Sequence, residues 1–168
     1  MKTIFDAATR DELIRRIRSL ETSNAAQWGK MNVYQMTRHC TIWDEWVLGV
    51  HKPKYKQELM GWIFGRMALK TFVKDDRPIQ KNVPTGRMFI VKELDGDLEQ
   101  QKQIWIRCIA AYEHFSNPDF IHDFFGKMTR EQIGIFAYKH SDHHLRQFGA
   151  VDPVAVADQQ RGGRLVSP

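Results

Sequence analysis

Apolar residues recur along this chain mostly at intervals of three and four, the spacing of helices that bury one face. Leu13, Ile17 and Leu20 fall on one stripe and predict a first helix that begins after Ala8 or Thr9 and runs to about Leu20. Its opposite face carries Arg15, Arg16 and Arg18 and reads as solvated. A polar stretch from Glu21 to Lys30 follows, and Asn32 is a good N-cap for a second helix reaching about Val50. That helix aligns Met36, His39, Trp43, Trp46, Val47 and Val50 on its apolar side.

Between Lys52 and Asp95 the pattern loosens. A short helix over about Gln57 to Phe72 is expected, then a connection containing Asp75, Asp76, Pro78, Pro84 and Gly86, with an extended piece at Met88 to Val91. The third long helix should run from about Asp97 to Phe115, with Leu98, Gln101, Trp105, Cys108, Ile109 and Tyr112 in line. Asn117 and Pro118 stop it, and the aromatic segment DFIHDFFG leads to the last helix. There Thr129 and Gln132 have capping-box spacing, and Gly149 is placed to end the helix after Phe148. The fold class expected is all-α, an up-down four-helix bundle with a long connection between its second and third helices. Residues 1–152 form its single domain, and the segment from Pro153, with its QQRGGR, is expected as a mobile tail.

Composition narrows the functional classes. A chain of 168 residues buries a core without a structural metal, so a metal here would serve function. The net charge of +5 invites a polyanion partner. Acidic residues are interspersed among the basic ones, however, and nucleic acid is not the expected partner. No charged stretch followed by an apolar run opens the chain, and MGWIFGRMALKTFV is broken by Arg66 and Lys70, so a cytoplasmic location without a membrane span is expected. Cys40 and Cys108 lie within helical patterns and read as buried thiols.

The candidate chemistry lies in FAYKHSDHHLRQFG, which holds three of the seven histidines. At about 100° per residue, His144 falls about 40° round the helix from His140, so the two share a face one turn apart. Ile133 and Phe136 lie in the same sector, which makes that face a buried one. This spacing lets two imidazoles converge on one ion, but Ser141 stands where a zinc protease has its glutamate base. His39 occupies the middle of the apolar stripe on the second helix. One histidine in such a place is ordinarily a hydrogen-bonded core residue; two at i, i+4 with a third on another buried stripe point to a metal site with open positions. The cofactor expected is a divalent transition metal (Zn, Ni, Fe or Mn), because imidazole does not select among such ions. His143, about 60° to the other side of His140, is the candidate for proton transfer or for replacing one of the pair. Gln147 is placed either to hydrogen-bond a ligand ring or to sit at the core edge. Trp43 and Trp46 are core residues that also border the site, Asp142 points away to solvent, and His51, His114 and His122 are expected at the surface or in caps.

WGKMNVYQMTRHC, the helical layout, FGKMTREQ and KHSDHHLRQFG together resemble the DinB-like superfamily of metal-dependent enzymes, also called the YfiT-like fold. The resemblance implies a four-helix bundle with one histidine ligand from the second helix, matching His39, and two from the last, matching His140 and His144. It also implies a homodimer, and an activity among those of relatives that use low-molecular-weight thiols such as bacillithiol or mycothiol, or that are called hydrolases.

The leading expectation is therefore a metal-dependent hydrolase or thiol transferase acting on a small molecule, with a thiol as cosubstrate in the second case. A metal-binding or sensor protein without catalysis, and a basic interaction protein with structural histidines, are the alternatives.

Overall fold

Two capping boxes fix where the longest helices begin. The Asn32 side chain accepts from the Gln35 N–H while the Gln35 side chain accepts from the Asn32 N–H, and Thr129 and Gln132 do the same. The computed structural model describes residues 1–152, so the segment expected as a mobile tail lies outside the described residues. It contains five α-helices: α1 (Ala7–Arg18), α2 (Val33–Leu48), α3 (Leu59–Phe72), α4 (Leu98–Ala111) and α5 (Arg130–Gln147). Helix α2 ends at Gly49 in the left-handed conformation, with φ of 77°. Val50 therefore lies beyond the helix and is exposed rather than on its buried stripe.

Helix α4 packs against α2 and α1, and α5 packs against the same two helices. Their shared core is built on Leu13, Ile17, Met36, Val47, Trp105, Ile109 and Leu145, all with no accessible surface. The sequence expectation of a mainly helical protein holds. No helix among the described residues is long and apolar enough to cross a membrane.

Several local expectations are corrected. Met88 to Val91 is not extended throughout: Arg87–Phe89 forms a 3-10 turn that buries Phe89, and the backbone becomes extended at Ile90. The aromatic segment after α4 closes into a small antiparallel hairpin, β1 (Ile121–His122) with β2 (Gly126–Lys127). His122 takes the capping role that was one of its two expected places, but from a buried position: its Nδ1 accepts from the Phe124 and Phe125 N–H groups at 3.1 and 3.3 Å. Arg16 is also buried rather than solvated: it donates to the Ala150 carbonyl at 2.9 Å and to Asp142 at 2.8 Å. Asp142, expected in solvent, is thus half of an ion pair tying α1 to α5.

A lysine on α5 holds the long connection in place. Lys139 Nζ donates to the carbonyls of Phe72, Asp75 and Arg77 at 2.5 to 2.9 Å. It satisfies carbonyls at the C-terminal end of α3, where a cation also complements the helix dipole.

Candidate metal centre

Helices α2 and α5 bring His39, His140 and His144 into one cluster. Each offers a ring nitrogen, and the three nitrogens lie within 4.8 Å of one another. His39 and His144 are buried and His140 is half-buried. These are the three residues that the helical-face argument selected.

Hydrogen bonds fix two of the three tautomers. His39 Nδ1 lies 2.9 Å from the Phe89 carbonyl oxygen, which can only accept, so Nδ1 carries the proton and Nε2 a lone pair. His144 Nδ1 lies 2.9 Å from Gln147 Oε1. The Gln147 amide is oriented in turn, because its Nε2 donates to the Trp28 carbonyl at 2.7 Å. His144 therefore also donates from Nδ1 and keeps its lone pair on Nε2. Both contacts are of the kind that orient metal-binding histidines.

His140 is the ring without such an anchor. Its Nδ1 is shielded from solvent and has no hydrogen-bond partner among the described residues. Its Nε2 lies 3.3 Å from His39 Nε2. Two nitrogens each about 2.1 Å from a shared ion, at roughly tetrahedral angles, stand about 3.2–3.4 Å apart. The donor set and the His39–His140 spacing therefore fit a metal held by the three rings. Without an ion, His140 can satisfy the His39 lone pair only by protonating Nε2, and its own Nδ1 lone pair is then stranded.

Electrostatics keep the rings neutral. Burial pushes the His39, His140 and His144 values down, well down for the last two, and the proximity of the other imidazoles adds to the effect. Neutral imidazole is the ligand form, so at neutral pH no proton has to leave before a cation binds.

His143 stands beside the cluster and outside it. Its Nδ1 lies 3.3 Å from the Ile79 carbonyl, its ring meets the edge of His144 at 5.1 Å between centroids, and Trp28 packs against it at 5.5 Å. Trp43 covers the other side, with its ring 4.3 Å from that of His140. Trp46 does not join it; that ring packs on Phe89, Phe120 and His122. His51 and His114 are exposed, as expected. The backbone carbonyls of Phe89 and Trp28 were not legible, since any residue type can supply a carbonyl.

A model of a family described as a protein of unknown function (DUF1569) matches residues 3–150. No curated protein and no solved structure matches the chain.

Proposed function

The chain belongs to the DUF1569 family, whose description names no chemistry, and from the site's own geometry we propose that it is a divalent-metal-dependent enzyme acting on a small molecule. The observation that carries this reading is the gathering of one ring nitrogen each from His39, His140 and His144 within 4.8 Å, with the first and last rings held by Phe89 and Gln147 and His140 unanchored among the described residues. Three imidazoles would hold the ion and leave part of its coordination shell to solvent or substrate, unlike a structural zinc closed by four protein ligands. A divalent cation there supplies positive charge that lowers the pKa of a water or a thiol toward neutrality.

The chain's own residues would do the rest. Phe89 and Gln147 hold two rings in the donating orientation, and Trp43 shields one side from bulk water. His143 is the proton-transfer candidate: burial lowers its pKa, so it is a neutral base near pH 7, and its ring edge adjoins His144. The reaction class is hydrolysis or transfer to a low-molecular-weight thiol. The packing of α1, α2, α4 and α5 against one another supports reading the fold as a DinB-like four-helix bundle with α3 in its long connection.

Elemental analysis of tag-free protein purified without chelator tests the reading. The expected result is about one divalent ion per chain, lost in His39→Ala and His140→Ala, with hydrolysis of small esters or amides, or thiol transfer, depending on that ion. Absence of metal in the wild type, with none taken up from micromolar excess, would leave the histidines as structural residues.

A further inference from the structure

Helix α3 is built inside out. Its inward positions are Gly61, Gly65 and Leu69, while Leu59, Met60, Trp62, Ile63, Phe64 and Met67 are between 43% and 77% exposed. A Cβ on Gly61 or Gly65 would stand 2.3 or 2.1 Å from the Phe124 carbonyl oxygen, so the hairpin backbone rests directly on the helix. No large side chain fits at these two positions, and the bulky residues of the first turns are left pointing away from the domain. At about 100° per residue, Met60, Ile63 and Met67 share one arc of about 60° opposite Gly65, flanked by Leu59 and Trp62 on one side and Phe64 on the other.

The six side chains expose on the order of 800 Å², against about 300–600 Å² for the largest apolar patch of an ordinary monomer and about 800 Å² per partner in a standard interface. Met88, also exposed, extends the patch, because it lines the same cleft as Leu59 and Trp62. We propose that this face is the interface of a homodimer, in which α3 packs antiparallel against α3 of a second copy across a two-fold axis near Ile63 and Phe64.

Charge selects the antiparallel arrangement. Within α3 the only charged side chains are Arg66 and Lys70, and Glu58 precedes the first turn. A parallel pair would set Lys70 beside the partner's Lys70 and Arg66 beside the partner's Arg66. An antiparallel pair separates the lysines and turns each toward the partner's Glu58, with the two helix dipoles opposed. The second copy would also border the cleft of about 740 Å³ that Leu59 and Trp62 share with Trp46, Lys54, Lys56 and Arg87.

The interface does not depend on the metal reading, since its variants leave His39, His140 and His144 untouched. Sedimentation equilibrium of the full chain over a wide concentration range tests it. The wild type is expected at twice the chain mass, and Ile63→Glu and Met67→Glu at the single mass with unchanged helical circular dichroism. Because an isologous interface places axis residues against themselves, oxidised Ile63→Cys should form a covalent dimer and Lys74→Cys, just beyond the C-terminal end of α3, should not. The native thiols stay silent, being buried. A wild type that is monomeric throughout overturns the proposal, and co-sedimentation of that monomer with phosphatidylserine vesicles would assign the face to an anionic lipid surface instead. A dimer indifferent to Ile63→Glu overturns it as well.

Discussion

Helix α2 carries two buried polar clusters, one facing α4 and the other facing α5, and they are built on opposite rules. Towards α4, Asp44 is fully buried and both of its oxygens are used: Oδ2 accepts from Trp105 Nε1 at 2.9 Å and Oδ1 from the Tyr112 hydroxyl at 2.8 Å. Next to it, Gln101 donates to Thr41, whose hydroxyl donates to the Thr37 carbonyl. Towards α5, His39, His140 and His144 bring ring nitrogens within 4.8 Å of one another, and the shielded Nδ1 of His140 has no partner among the described residues. A buried polar group costs stability unless it is paired, so the first cluster explains itself as structure and the second does not. That difference supports the proposal that the second cluster serves a ligand rather than the fold.

The largest effect expected from this contrast is on stability. Asp44→Ala should cost about 3–5 kcal/mol, because it strands the Tyr112 hydroxyl and the Trp105 N–H in the core. His140→Phe in metal-free protein should change stability by less than about 1 kcal/mol, since it replaces an unsatisfied ring by an apolar one of similar size. Chemical denaturation of the two variants under chelating conditions checks the pair. A His140→Phe cost equal to that of Asp44→Ala would show both clusters to be structural.

The next effect is on pH dependence. Burial raises the Asp44 carboxyl to about 7, against the hydrogen bonds from Tyr112 and Trp105 that favour its ionised form. A carboxyl whose folded value lies above its unfolded value of 3.8 stabilises the fold most at low pH, and that contribution is lost as pH rises from about 4 to 7. The histidines act in the opposite sense, because values lowered by burial remove stability as pH falls below about 6.5. Asp44→Asn can still accept from Trp105 through its amide oxygen while its NH2 donates to the Tyr112 oxygen, and it removes the carboxyl's share. Its stability relative to wild type should therefore rise by about 2–3 kcal/mol between pH 5 and pH 8. A constant difference across that range would mean that Asp44 ionises freely in the fold.

The smallest effect concerns the anchor of a single ring. Gln147→Ala leaves all three imidazoles in place but releases the His144 tautomer, and metal affinity should fall about tenfold to a hundredfold. Competition with a chromophoric chelator measures it. Unchanged affinity would reduce Gln147 to a core-edge residue that holds the Trp28 segment.

How much of this was legible before the structure follows from which forces are periodic. The helices, the Asn32 and Thr129 caps and the histidine trio all announce themselves through 3.6-residue spacing or short-range side-chain chemistry. Arg16 and Asp142 do not, because a charged residue paired across two helices has the same pattern as one in solvent. Lys139 is missed for the same reason, and its partners are three carbonyls that no residue type reveals. His122 was expected at the surface or in a cap; it caps, but its burial was not legible because strands of two residues are too short to show alternation. Asp44 carried a fainter signal: it lies four residues after Cys40 and three before Val47, on the second buried side of α2, where a carboxylate demands donors.

The central claim is that the three rings ligate one ion, and cobalt(II) titration of the chelated protein followed by visible absorption tests it most directly. The account expects d–d bands of a nitrogen-ligated, low-coordinate ion that saturate at one equivalent per chain and are absent in His144→Ala. Spectra that remain those of hexaaqua cobalt, or bands that persist in His144→Ala, would contradict it.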